Sequence, residues 1–329
     1  MNKVSWGFIG CGDVTEIKSG PAFRQIPNSE VVAVMRRNGE KAKDYAQRHG
    51  IAKWYDDAQK LIHDPEVNAV YIATPPDTHA AYTIQALEAG KPVYVEKPMA
   101  RNYQECQQML EAAEKAKLPI YVAFYRRRLP VFEKVKEILD ANTLGDVRFV
   151  HLQLCQSLKA QDFNKGNLPW RLQAEIAGGG YFFDLAPHQL DMLDYLLGPI
   201  RATHGFAANQ AGLYAVEDIV TTNLQFESGT LGTGIWCFTT ATVNASDKIE
   251  IIGSEGSITF STFENNPIIL RTTQGEELFS FSNPTHIQQP LIATVVGDLL
   301  HLETCPSTGA SAARTSKVMD EIIKDYPKK

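Results

Sequence analysis

Cysteine is scarce and badly placed for cross-linking. The five thiols, Cys11, Cys106, Cys155, Cys237 and Cys305, are odd in number, far apart and include no C-x-x-C pair. A disulfide framework and a structural zinc site are therefore not expected. No stretch approaches the roughly 18 apolar residues of a membrane-crossing helix, so no membrane partner is expected. The first ten residues enter a strand-like run at once, without the basic flank, apolar core and cleavage site of a signal peptide, and a reducing cytoplasm is the expected location. There is also no Lys/Arg block able to track a polyanion, and 32 basic against 38 acidic residues leave a net charge of −6. A nucleic-acid partner is not expected; a small anionic ligand needs only one local positive site.

What is present is the composition of a globular protein, 44% hydrophobic and 21% charged, and a length that suits about two domains. From Val4 to Phe124 short apolar runs alternate with helical segments: VSWGFIG, VVAVM, AVYIAT, PVYVE and PIYVAFY. This rhythm predicts repeated βαβ units around a doubly wound parallel sheet. After Tyr125 the rhythm changes to a helix (PVFEKVKEILD), an alternating strand (VRFVHLQLCQS), a strong helix from about Phe183 to Leu197, and then a succession of strands separated by ESG, GSEG and ENNP turns. Strands without intervening helices predict a mainly antiparallel sheet, hence an α+β second domain. Two helical segments close the chain. The expected division is residues 1–123 and 124–329, with the alternative that the C-terminal helices pack back.

The first strand runs straight into Gly10-Cys11-Gly12-Asp13-Val14-Thr15, two glycines of a G-x-G-x-x-G fingerprint in the strand-turn-helix context that gives the motif meaning. Gly10 permits the sharp turn and Gly12 a close backbone approach to a pyrophosphate. Thr15 stands where the third glycine would allow closer helix packing. The second strand ends in Met35-Arg36-Arg37-Asn38, with no carboxylate to hold the ribose hydroxyls of NAD. Two guanidiniums suit a 2′-phosphate, which favours NADP over NAD. The same arginines could instead be solvated loop charges or stack on the adenine.

Two further clusters carry proton chemistry. Glu96-Lys97-Pro98 follows the fourth apolar run, at the carboxyl edge where open α/β sheets bind ligands. A lysine fixed there can shift its pKa and move a proton, although Glu96-Lys97 alone would also suit a surface ion pair. Within GGGYFFDLAPHQLD, Asp184 and His188 are four apart and share one helical face. A carboxylate beside an imidazole orients it and raises its basicity, as a general base requires. A capping carboxylate and a core histidine are the simpler alternatives.

With these motifs in place, GFIGCGD, ATPPDTHA, EAGKPVYVEKP and GGGYFFDLAPHQLD, the chain resembles the Gfo/Idh/MocA family of oxidoreductases over nearly its whole length. The resemblance implies a Rossmann domain followed by a domain whose open, mainly antiparallel sheet mediates homo-oligomerisation. It implies an NAD(P)-dependent dehydrogenase or reductase acting on a secondary alcohol of a sugar, polyol or related small molecule. Lys97 would hydrogen-bond the reacting oxygen and relay its proton, Asp184 would position substrate and His188, and His188 would be the general base in oxidation. The implied cofactor-binding set is Gly10, Cys11, Gly12, Asp13, Val14, Arg36, Arg37, Thr74, Pro75, His79 and Glu96. The implied substrate set adds Tyr125, Arg127, Trp170 and Arg171, with no metal. His79 could instead cap the following helix, and Arg127 and Arg171 could make interdomain ion pairs. Ala186 and Pro187 depart from the common family pattern without removing a chemical group. An NAD-dependent, redox-neutral glycoside hydrolase and a non-catalytic ligand sensor on the same fold are the alternative functions.

Overall fold

The structure, a computed structural model, describes residues 2–164 and 166–327. It separates into a unit formed by Met1–Leu129 with Pro284–Ala313 and a second formed by Pro130–Asn283 with Arg314–Lys329. Residues 124–129 thus group with the first unit rather than the second, and so does 284–313, which holds the first of the two C-terminal helices. The reason lies at the sheet edge: Val122 N donates to Ser307 O (3.2 Å), Ser307 Oγ donates to Val122 O (2.7 Å), and Tyr121 bridges to Thr308. Backbone groups of an edge strand must be paired or solvated, and here a distant segment pairs them.

In the first unit, strands β1 (Val4–Ile9), β2 (Ser29–Met35), β3 (Lys53–Tyr55), β4 (Ala69–Ile72), β5 (Val93–Val95) and β6 (Ile120–Val122) form one parallel sheet in the order β3-β2-β1-β4-β5-β6. This is the Rossmann order, and the direction of winding reverses between β1 and β4. Five of these strands coincide with the apolar runs of the sequence; β3, a three-residue, partly exposed edge strand, is too short to show a period.

Alternation sorts the two faces of the sheet by side-chain type. Trp6, Phe8, Tyr71 and Tyr94 share one face, while Ile9, Val70, Ile72, Val93 and Val95 point the other way into an aliphatic core. Phe23, from the Gly20–Gln25 helix, is the hub of the aromatic face, with ring centroids 4.8 Å from Phe8 and 5.0 Å from both Trp6 and Tyr71. Phe23→Ala should therefore cost about 3–5 kcal/mol. Denaturant unfolding checks this; a loss under about 1 kcal/mol would mean that the aromatic cluster does not hold the sheet.

The second unit is built on eight strands: β7 (Val147–Cys155), β8 (Ile200–Ala208), β9 (Ile219–Phe226), β10 (Leu231–Cys237), β11 (Ser246–Gly253), β12 (Gly256–Phe260), β13 (Ile268–Thr272) and β14 (Gly275–Phe279). Their order is β14-β13-β12-β11-β7-β10-β9-β8, antiparallel throughout except for the parallel β7–β10 pair. The short, solvent-facing β14 escaped the sequence reading because GEELF has no buried face to give it a pattern.

The helix Tyr181–Leu197 covers one face of this sheet. Phe182 packs edge-on to Trp236 at 5.1 Å, and Trp236 Nε1 donates to Gln189 Oε1 (2.7 Å). The opposite face carries Phe149, paired in register with Leu231, and Phe206, which is 71% exposed. Among the described residues, no helix is long and apolar enough to cross a membrane.

Candidate active site

The first unit has a cavity of about 380 Å³ at the carboxyl ends of β1, β2 and β4, lined by the Gly10–Gly12 turn, Arg36, Arg37, Asn38, Lys41, Thr74, Pro75 and Tyr82 among others. It lies at the point where the sheet reverses, the ligand position of this topology. Gly10 has φ +95°, and a Cβ there would come within 2.8 Å of Ala73 backbone, so only glycine fits. A Cβ on Gly12 would point into open space, leaving its backbone accessible from the cavity. Arg36 Nη1 donates to Cys11 O (3.2 Å), which braces the turn, whereas Arg37 is exposed. Lys41 lies on the same wall and Asp77 is the one acidic residue among those lining the cavity. Asn38 caps the Gly39–Arg48 helix by accepting from Lys41 N.

Asp13 and Val14 open the short helix Asp13–Ile17 after the glycine turn and are not among the residues lining the cavity. Cys11 is buried turn filler: its Sγ faces Met35 O, and burial pushes the thiol up to about 11, which keeps it protonated and unreactive. Glu16, in the same helix, is held down to about 2, chiefly by the Arg48 guanidinium and also by His49. This pairing contributes stability in full above pH 4.5 and loses it as the pH falls towards about 2. Because Glu16 is partly exposed, we expect no more than about 1 kcal/mol. Glu16→Gln should flatten the denaturation midpoint over that pH window, and an unchanged pH slope would contradict the assignment.

Lys97 stands two residues beyond the end of β5, half-buried, and the Lys97–Pro98 peptide is cis. The residues around it are turned inward. Glu96 is 8% exposed, and its Oε1 accepts from Tyr71 Oη and Gln288 Nε2, both at 2.7 Å. His79 is fully buried, with Nδ1 2.9 Å from Pro98 O and Nε2 2.8 Å from Thr74 O. The side chains of Glu96 and His79 therefore tie loops to one another, and neither residue lines the cavity. His79 supplies no helix cap either. Burial lowers the His79 pKa. Tyr125 is buried under Arg126, and Arg127 Nη1 donates to Pro306 O (2.6 Å).

In the second unit Asp184 and His188 lie one turn apart on the Tyr181–Leu197 helix, which starts two residues earlier than its apolar pattern indicates and runs unbroken through Pro187. Its start is set by Gly180, whose N–H donates to the buried Glu217 Oε1 (2.7 Å); a Cβ on Gly179 or Gly180 would strike Phe183 or Glu217. Arg171 Nε donates to Asp184 Oδ2 (2.8 Å), while its guanidinium rests 4.4 Å over the Trp170 ring. His188 is 5% exposed and packs edge-on against Phe263. The structure thus brings together Trp170, Arg171, Asp184 and His188. Two residues not singled out by any motif, Lys159 and Tyr181, join them. Lys159 places its ammonium 4.1 Å over the Tyr181 ring and is lowered in pKa by burial, and Tyr181 donates to Asp162 Oδ1 (2.6 Å). No periodic pattern marks either residue in the sequence.

Comparisons with known proteins agree with this architecture. The family model described as "Oxidoreductase family, NAD-binding Rossmann fold" (GFO_IDH_MocA) matches residues 4–124, and the GFO/IDH/MocA C-terminal domain matches residues 132–259. Oxidoreductase P35 of Formosa agariphila is 39% identical over 97% of this chain and 98% of its own length. Levoglucosan dehydrogenase of Pseudarthrobacter phenanthrenivorans is 30% identical over 79% of this chain and 73% of its own. A solved structure of levoglucosan dehydrogenase in complex with NADH shares the fold, with a TM-score of 0.89 at 24% identity over 98% of this chain and 96% of that one. The chain belongs to the Gfo/Idh/MocA oxidoreductase family and is an NAD(P)-dependent dehydrogenase or reductase.

Proposed function

We propose that the protein transfers a hydride between NADP and a secondary alcohol, or the matching ketone, of a sugar or polyol. The observation that carries this reading is the pairing of chemistries: a nucleotide cavity walled by Arg36, Arg37 and Lys41 with Lys97 in the same unit, and an acceptor-base pair, Asp184 and His188, on one helical face. When bound, the nicotinamide supplies the hydride chemistry. Glycine-turn N–H groups are suited to its pyrophosphate, and Arg37 and Lys41 to a 2′-phosphate. In oxidation His188 takes the hydroxyl proton, Lys97 donates a hydrogen bond to the oxygen as it becomes a carbonyl, and Asp184 accepts from a neighbouring hydroxyl. Trp170, with Arg171 stacked on it, offers an aromatic wall to the C–H face of a sugar ring. Relatives named for levoglucosan, scyllo-inositol and 1,5-anhydro-D-fructose support this substrate class.

The exposed Phe149, Leu231 and Phe206 on one sheet face support pairing with a second copy. Five buried cysteines, none of them in a disulfide, support a reducing compartment such as the cytoplasm. The test is nicotinamide absorbance with NADP⁺ or NAD⁺ and a panel of levoglucosan, inositols, alditols and aldoses. Growth of the reduced-nicotinamide band with at least one member, faster with NADP⁺, is expected. Cleavage of an aryl glycoside without net reduction would favour the redox-neutral hydrolase instead.

A further inference from the structure

We propose that Gln288 and Tyr71 are positioning residues for Lys97, acting through the Glu96 carboxylate. The inference rests on the reading of Lys97 as the residue that touches the reacting oxygen. Glu96 is a buried acid next in sequence to that lysine, and a buried carboxylate needs donors to stay in place. Both of its donors converge on one oxygen, Oε1. Neither donor is free to drift. Tyr71 is fully buried, stacked on Tyr94 at 5.2 Å, with its Oη 3.0 Å from Ser19 Oγ. Gln288 is 1% exposed; it accepts from Tyr94 Oη (3.2 Å) and its backbone N–H donates to Lys18 O (3.3 Å).

On the other side of Lys97, Pro98 O lies 2.9 Å from Nδ1 of the fully buried His79. The backbone of the lysine is therefore pinned on both flanks, while its own side chain is half-buried. Lys18 and Ser19 directly follow the helix that starts at the glycine turn, so one polar network joins that helix, β4, the lysine turn and a segment 192 residues further along the chain. Removing a donor leaves a buried acid under-satisfied and able to turn, which shifts the adjoining lysine. A displacement of about 1 Å at a reacting group can cost about 100-fold in rate. On this account the 284–313 segment is part of the catalytic apparatus as well as of the fold.

The test uses the full chain with Gln288→Leu and the near-isosteric Tyr71→Phe. Each should lower kcat for the alcohol oxidised in the panel by about 10- to 100-fold, with KM for that alcohol and Kd for NADPH within about twofold. Because both donors serve one oxygen, the double variant should lose less than the product of the two single losses. An arm that needs no substrate is competitive reductive methylation with formaldehyde and cyanoborohydride, read by peptide mass spectrometry. The Lys97 rate relative to Lys91 should change at least threefold in both variants.

Normal kcat together with an unchanged Lys97 ratio would overturn the proposal, as would loss of NADPH binding in step with lowered melting temperature. If no panel alcohol is oxidised, the proposed function fails, and the methylation ratio alone decides whether Gln288 and Tyr71 position Lys97. If Gln288→Leu does not fold, Tyr71→Phe carries both arms.

Discussion

Lys97→Met should lower kcat by about 10²- to 10⁴-fold and leave the Kd for NADPH within about twofold. The methylene stem is matched by the methionine side chain, so the variant removes the ammonium and little else. Lys97 is not among the residues that line the nucleotide cavity, whereas the glycine turn and the arginine corner are. Binding and chemistry should therefore separate at this position. Single-turnover kinetics with saturating NADP⁺ measures the effect directly, and His188→Ala should give a loss of the same order. A Lys97→Met enzyme that turns over within threefold of the wild type would remove the lysine from the mechanism and leave Glu96 as a plain structural acid.

The second large effect concerns the cofactor. Charge-assisted hydrogen bonds contribute about 1.5–3 kcal/mol each, so Arg37→Ala should weaken NADPH by about 10- to 100-fold and leave NADH nearly unchanged. Arg36→Ala should behave differently. Its guanidinium already donates to Cys11 O and braces the glycine turn, so it should weaken both cofactors. Lys41→Met should reproduce part of the Arg37 effect because it shares that wall. Titration of intrinsic fluorescence with NADPH and NADH separates these cases. Tighter NADH than NADPH binding in the wild type would overturn the reading of the whole corner.

How much of this was legible in the sequence depends on how local each feature is. The glycine turn, the arginine corner and the Asp184–His188 spacing are encoded within a few residues, and the structure shows each in the backbone setting its motif requires. The Rossmann strands were readable because buried parallel strands are continuous apolar runs; β3 and β14 were not, since an edge strand with no buried face carries no period. The sorting of aromatic residues to one sheet face follows from alternation in β1, β4 and β5.

What sequence could not reveal is pairing at long range. Nothing near Gln288 marks it as a partner of Glu96, nothing near Ser307 marks it as the cover of β6, and nothing near Glu217 marks it as the acceptor that sets the start of the Tyr181–Leu197 helix. For the same reason the family-implied cofactor roles of Glu96 and His79 looked plausible from their motifs. In the structure Glu96 Oε1 and both ring nitrogens of His79 are occupied by protein partners.

On the proposed function, hydride passes between nicotinamide and the carbon of a secondary alcohol. Isotope transfer tests it most directly: incubation with NADPH deuterated at C4, both epimers in turn, and a set of keto sugars and keto-inositols including 1,5-anhydro-D-fructose. One deuterium is expected on the new carbinol carbon of a product, seen by NMR from one C4 epimer only and transferred about 100-fold or more slowly by Lys97→Met. Deuterium retained wholly on the nicotinamide while an aryl glycoside is cleaved in the same preparation would contradict it.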